Sequence, residues 1–276
     1  MPGAIVFGKD PRRPWLASRS ERSLRLAGFE IIEAPLGPCL LLKAGSVLSA
    51  PDTYRPPPDV GGLIAVGLPQ DGEWAAYHAI HGGDYPRGAS LPAPVCEWHS
   101  CVESATARLT DCHAPVSTRI VHWAPLDLAP YNDTLCVFEV VTSLQHGGAE
   151  KIAMDLAAEL LLHDVGSRLV ILGHAHRRML AGLPGMIDLS HLPHGGRMGY
   201  LTNLAIRHGV DVLHLHLTDA ATTREAAVAG IPVLVTLHNS RAGWPQGWES
   251  IRREEVGLML ACSKAVEADL RAVFPG

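Results

Sequence analysis

From residue 135 onward, short apolar runs alternate with stretches in which apolar positions recur at helical spacing. The runs at residues 135–142, 168–172, 186–189, 211–217, 231–237 and 258–262 read as strands, and the intervening patterns at 149–163, 197–208, 219–229 and 263–273 read as helices. In the first helix Ala149, Ile152, Leu156 and Leu160 share one face, while Glu150, Lys151, Asp155 and Glu159 lie off it. The first run, Leu-Cys-Val-Phe-Glu-Val-Val-Thr, is β-branched and apolar in the manner of a strand buried on both faces of a parallel sheet. Regular alternation of this kind predicts a doubly wound, Rossmann-like α/β fold with helices on both faces of a parallel sheet.

The first 130 residues follow another grammar. Sixteen of the twenty-one prolines lie at or before Pro130. A strand pattern at 4–8, a helix at 18–27 closed by Gly28 and a second strand at 29–34 make one β-α-β start. Beyond it, Tyr54-Arg-Pro-Pro-Pro-Asp59 reads as an extended linker, because consecutive prolines fix φ and remove donors. Residues 62–68 could form one more buried strand, and 69–94 hold too many glycines and prolines for long helices. The expected division is therefore an accessory α/β region at 1–130 and the Rossmann-like domain at 131–276.

Composition narrows the function classes. Apolar residues make up 47% of the 276, enough for a sizeable core, and the net charge of −5 comes without a basic run that could neutralise a phosphate backbone. Nucleic acid is thus not expected as a partner. The six cysteines lack the density of a secreted disulfide scaffold, so a reducing compartment fits. The longest apolar stretches, 38–48 and 160–173, are broken by Lys43 and by His163, Asp164 and Arg168, which leaves no spanning helix. The expectation is a cytoplasmic protein, at most peripheral at the inner membrane face.

Open parallel sheets bind ligands beyond the carboxyl ends of their strands, where strand order reverses. The segments there are His146-Gly147-Gly148, Gly173-His174, Ser190-His191, residues 214–219, His238-Asn239-Ser240 and Ser263. Six of the ten histidines from His146 onward fall in them, the pattern of a polar cleft. Gly147-Gly148 precedes a helix, so bare backbone amides can face a phosphate there, although glycine pairs also serve as plain tight turns. Neither the Gly-x-Gly-x-x-Gly fingerprint nor a Walker pattern occurs. His214 and His216 stand at i and i+2 on one face of a strand. They could chelate a metal, hydrogen-bond a sugar or phosphate, or simply be satisfied in packing; spacing identifies no carboxylate or third ligand to complete a metal site. A second cluster, Cys96, His99, Cys101, Cys112 and His113, matches no standard zinc finger. Trp74, Trp98 and Trp123 are expected in packing.

Four segments in order, Val140-Val-Thr-Ser-Leu-Gln-His-Gly-Gly-Ala-Glu150, Asp211-Val-Leu-His-Leu-His216, Gly230-Ile-Pro-Val-Leu-Val-Thr-Leu-His-Asn239 and Ala261-Cys-Ser-Lys-Ala-Val266, resemble the N-terminal domain of the family-four retaining glycosyltransferases. That resemblance implies half of a GT-B fold and transfer of a sugar from a nucleotide-sugar donor to a hydroxyl acceptor, lipid-linked or polysaccharide. It implies that Gly147 and Gly148 lie against donor phosphates and acceptor, that His216 approaches the transferred sugar, and that His238 is a second polar position in the cleft. His214, Thr218, Asp219, Asn239 and Ser263 are the accompanying substrate-binding candidates, and no cofactor or metal is implied. Leu217 and Thr218 stand where some mannosyltransferase relatives carry Glu-Pro. The family's Glu, seven residues, Glu motif is missing from these residues. The expectation is a truncated or split enzyme, incomplete or inactive alone, that works with a separate C-terminal donor-binding domain. The competing expectation is a non-catalytic scaffold retaining a Rossmann-like core.

Overall fold

The computed structural model describes residues 1, 3–48, 63–65, 96–99, 102–110, 133–145, 147–174 and 185–274. The linker expected at 54–59 and most of the run at 62–68 lie outside the described residues, as do His146, Cys101, Cys112, His113, Trp74 and Trp123. The chain divides into two compact units, Met1–Asp133 with Ile206–Gly209, and Thr134–Ala205 with Val210–Gly276.

The first unit carries a five-stranded sheet in the order β2-β1-β3-β5-β4, formed by β1 (Gly3–Phe7), β2 (Glu30–Ile31), β3 (Cys39–Lys43), β4 (Leu63–Ala65) and β5 (Cys96–His99). β1 runs parallel to β2 and β3, whereas β5 is antiparallel to β3 and β4. Alternation shows why β1, and β3 as far as Leu42, are apolar. Ala4, Val6, Leu40 and Leu42 pack with Leu16 and Leu24 of α1 (Pro14–Leu26), while Ile5, Cys39 and Leu41 turn to the opposite face with Ala105 of α2 (Val102–Thr110). Both faces are covered, so neither set of positions can be polar. Helix α1 starts about a turn before the periodicity indicates, because Pro14 sits in its first turn where no amide donor is needed. It is followed by Gly28 at φ +81°, a conformation that glycine adopts without a Cβ penalty.

The second unit is a six-stranded, wholly parallel sheet in the order β11-β10-β9-β6-β7-β8. Its strands are β6 (Cys136–Val141), β7 (Gly166–Ile171), β8 (Ile187–Asp188), β9 (Val212–His216), β10 (Val233–Leu237) and β11 (Leu258–Ala261). The helices are α3 (Gly148–Leu162), α4 (Arg197–Arg207), α5 (Ala220–Val228) and α6 (Lys264–Val273). Counted from β6, the order is 3-2-1-4-5-6, the doubly wound Rossmann arrangement. The direction of winding reverses between β6 and β9. Because all six strands are parallel, the segments that follow β6, β9 and β10 emerge at one edge, as the sequence pattern predicts.

One helix face differs from its expectation. Helix α3 buries Ala149, packs Ala153 and Ala157 against Val141, Leu169 and Ile171, and leaves Ile152 at 40% exposure. The small side chains let the helix lie close to the sheet, which displaces the seam by about one position from the larger residues. Among the described residues no helix is long and apolar enough to cross a membrane.

Burial in β3 also has a chemical consequence, since it pushes the Cys39 thiol up to about 11, while Cys262 is exposed. Iodoacetamide at pH 8 should modify Cys262 in the native protein and spare Cys39 until urea unfolds the chain. Peptide mass mapping checks this, and rapid native labelling of Cys39 would contradict the packing described for β3.

Candidate functional site

In β6 the apolar run is interrupted by Glu139, which lies opposite His214 of β9 in the parallel register. Val141 lies opposite His216, and His216 opposite Thr236 of β10. The period of two places Glu139, His214, His216 and Thr236 on the same side of the sheet as Val141, Leu169 and Ile171, the side that α3 covers. A carboxylate in such a place cannot reach water and must find donors within the protein. It finds two. His214 Nδ1 lies 2.7 Å and His216 Nε2 2.8 Å from the same oxygen, Glu139 Oε2. Exposure is 1% for Glu139, 3% for His214 and 0% for His216.

The remaining ring nitrogens are also held. His214 Nε2 is 2.7 Å from Thr236 Oγ1, and His216 Nδ1 is 2.9 Å from His238 Nε2. A single assignment of protons satisfies all four contacts. His214 Nδ1–H and His216 Nε2–H donate to the carboxylate, and the Thr236 hydroxyl and His238 Nε2–H donate to the nitrogens left bare. Burial alone would raise the Glu139 carboxyl, but the hydrogen bonds from the two histidines outweigh it and hold the group below the ordinary carboxylate range. Burial lowers His216 despite the pull of Glu139, and burial with the neighbouring imidazoles lowers His238 to about 4. The cluster therefore holds an ionised carboxylate beside neutral His216 and His238 rings at neutral pH. Its three donor atoms, from Glu139, His214 and His216, lie within 4.8 Å of one another and form the one group among the described residues that could hold a metal ion.

The rim above this cluster is built from residues the sequence points to, with uneven outcome. His216 does not offer an edge to a sugar, since it is sealed and both its nitrogens are engaged. The half-buried member is His238, whose Nδ1 has no hydrogen bond among the described residues. His214 is likewise sealed between Glu139 and Thr236. Thr218 is buried, its hydroxyl 3.0 Å from that of Thr223 and its carbonyl accepting from Trp248 Nε1 at 2.6 Å. Asp219 and Ser263 are helix caps: Thr222 N donates to Asp219 Oδ1 at 2.7 Å and Val266 N to Ser263 Oγ at 3.3 Å. Asn239 closes a turn by donating from Nδ2 to the Gly243 carbonyl at 3.0 Å, and stays exposed.

The two glycines before α3 differ in kind. A Cβ at Gly147 would run into the Glu150 carboxylate, which folds back over the helix start and accepts from Ser143 Oγ at 3.2 Å. A Cβ at Gly148 would meet nothing within 4 Å. The obstacle at Gly147 is the end of a flexible side chain, and Gly148, exposed at the start of the helix, meets none. Gly173 has a packing reason, because a Cβ there would collide with the Thr142 carbonyl.

No family model and no curated protein matches this sequence. Several solved structures overlay part of it, among them these two. One is an α-glucosyltransferase in complex with UDP and a 13-mer DNA containing an HMU base, at 14% identity and a TM-score of 0.38, covering 52% of this chain and 40% of that one. The other is a UDP-N-acetylglucosamine 2-epimerase, so described for Listeria monocytogenes, at 16% identity and a TM-score of 0.37, covering 50% and 42%. The chain thus spans less than half the length of either structure. Overlaps of this extent carry no weight for activity, and the fold class stands on the strand order itself.

Residue Leu217, between the sealed His216 and the buried Thr218, adopts φ +57°, a left-handed conformation that costs leucine about 1–2 kcal/mol. The substitution Leu217→Val, which places a branched Cβ in that conformation, should lower unfolding free energy by about 1 kcal/mol or more, whereas Leu217→Gly should not lower it. Urea denaturation of the two variants checks this, and equal losses would show that φ at 217 stores no strain.

Proposed function

We propose that the second unit is the acceptor-side domain of a glycosyl-transfer system, which brings a hydroxyl acceptor and a nucleotide-sugar donor together at the carboxyl edge of its sheet. The observation that carries this reading is the conjunction, at one edge, of a helix start opened by Gly148 and the Nδ1 of His238, which no described residue engages. No described side chain caps the first turn of α3, so its backbone amides present positive partial charge to a diphosphate, offset in part by the Glu150 carboxylate over the helix start. A ring nitrogen at the neighbouring strand end can hydrogen-bond the acceptor hydroxyl. Both contributions are electrostatic and positional, which is what displacement of a charged diphosphate leaving group requires. His216 acts from below by holding the His238 ring, and so positions without touching substrate.

The ordered segments resembling family-four retaining glycosyltransferases support this reading, and they supply its finer terms: retention at the anomeric carbon, a lipid-linked or polysaccharide acceptor, and a separate domain to bind the nucleotide. A second reading, a scaffold that keeps the Rossmann-like core without chemistry, is favoured by the burial of His214 and His216.

Gly148 separates the two. Its φ is not positive and its Cβ position is open, so Gly148→Val should fold with little change in thermal midpoint. Saturation-transfer NMR against a panel of nucleoside-diphosphate sugars should show binding by the natural chain and at least a tenfold weaker response in Gly148→Val. His238→Ala should weaken the response to acceptor hydroxyl compounds. Absence of any signal across donors and acceptors, or signals that neither substitution changes, would leave the scaffold reading standing.

A further inference from the structure

We infer that Glu139, His214 and His216 bind a divalent transition-metal ion, zinc by the chemistry of the donor set, beneath the switch point of the second sheet. The inference is independent of the sugar-transfer reading.

The geometry is convergent. Nδ1 of one imidazole and Nε2 of the other both face a single carboxylate oxygen, at 2.7 and 2.8 Å. Two imidazole nitrogens and one carboxylate oxygen are ligands common to zinc sites, and this borderline set suits zinc better than the all-oxygen preference of magnesium or calcium. Zinc–ligand bonds of about 2.0–2.1 Å would hold tetrahedral donors about 3.3 Å apart, so the three groups need to open by only about half an ångström.

The surrounding shell is the second observation. Metal-bound histidines characteristically hydrogen-bond through their other ring nitrogen, which fixes the ring. Here each does so, His214 to Thr236 and His216 to His238. On binding, the proton assignment reverses: His214 Nε2–H donates to the Thr236 hydroxyl and His216 Nδ1–H to His238 Nε2, while the opposite nitrogens turn their lone pairs to the ion. Both outer partners can accept, so the shell is satisfied in either state.

The third observation is charge. Among the described residues Glu139 has the two histidines as its only ion-pair partners, with no lysine or arginine among them. A carboxylate 1% exposed is costly without a compensating cation. Register also matters, since β6 contributes the carboxylate and β9 both imidazoles. The ion would tie together the two strands between which the sheet reverses its winding, and through His216 it would fix the His238 ring at the rim.

The test uses the full chain, stripped with a chelator and desalted, then titrated with Co2+ and, separately, Zn2+. The expected result is one ion per chain by elemental analysis, visible d–d absorption for Co2+ without the intense near-ultraviolet band of thiolate ligation, and a thermal midpoint that rises with zinc. Glu139→Gln and His214→Ala should each weaken binding at least 100-fold. If either fails to fold, Thr236→Val serves instead: it leaves all three ligands in place, removes only an outer partner, and should weaken binding about 10- to 100-fold. Three results would overturn the inference: no bound ion above background, a thiolate band marking a cysteine site, or unchanged affinity in folded Glu139→Gln or Thr236→Val protein.

Discussion

A carboxylate placed in the middle of a strand that is covered on both faces has to be neutralised or hydrogen-bonded inside the protein, and Glu139 is such a carboxylate. The requirement sets much of what surrounds it. The partner strand must offer donors opposite residue 139 and two positions further on, which is where β9 carries His214 and His216. Those imidazoles, having spent one nitrogen on the carboxylate, require a partner for the other, and β10 and the turn after it supply Thr236 and His238. One buried charge thereby links β6, β9 and β10 through side chains as well as through their backbone ladders. Removing one member of such a buried set typically costs about 3–5 kcal/mol, because it leaves the others uncompensated.

The cluster also divides labour between depth and rim. His214, His216 and Thr218 are sealed, and the turn above them is held by the Trp248 indole on the Thr218 carbonyl and by the Asp219 cap. His238 and Gly148 remain at the open edge. Rigid support below and a few accessible polar groups above is the arrangement that positions a ligand without reorganisation at the moment of reaction. The left-handed Leu217 sits at the junction of the two levels, where a strand that must end its side-chain row at His216 turns abruptly into the cap of α5.

Much of the second unit was legible in the sequence because its signals are local. Each strand is a short apolar run and each helix has its own periodicity, so 136–141, 212–216 and 233–237 could be placed to within a residue or two. The common edge followed from parallel topology. What the sequence concealed was tertiary. His216 and His238 read alike as rim histidines, yet register and the cover of α3 bury one and leave the other open. Asp219 and Ser263 looked like ligand-binding residues because helix caps and phosphate-facing residues occupy the same positions at helix starts. Of the face expected for α3, Ala149 is buried, but Ala153 and Ala157 rather than Ile152 complete the packed seam, because small side chains bring the helix close to the sheet. Glu139 carries a signal of its own: a lone acid within a run otherwise fit only for burial implies a cation or donor on a neighbouring strand. In the first unit the strand pattern at 29–34 is realised at Glu30–Ile31, whereas the antiparallel β5 depends on pairings far apart in the chain, which no local pattern announces.

The most direct measurement is a double-mutant cycle on Glu139 and His214, using Glu139→Leu, His214→Leu and the pair, with unfolding followed in urea and a chelator present. A buried carboxylate that depends on this imidazole predicts a coupling of about 1–3 kcal/mol, with the paired substitution far less damaging than the two losses added together. Additivity within about 0.5 kcal/mol would contradict it and reduce the cluster to independent packing residues.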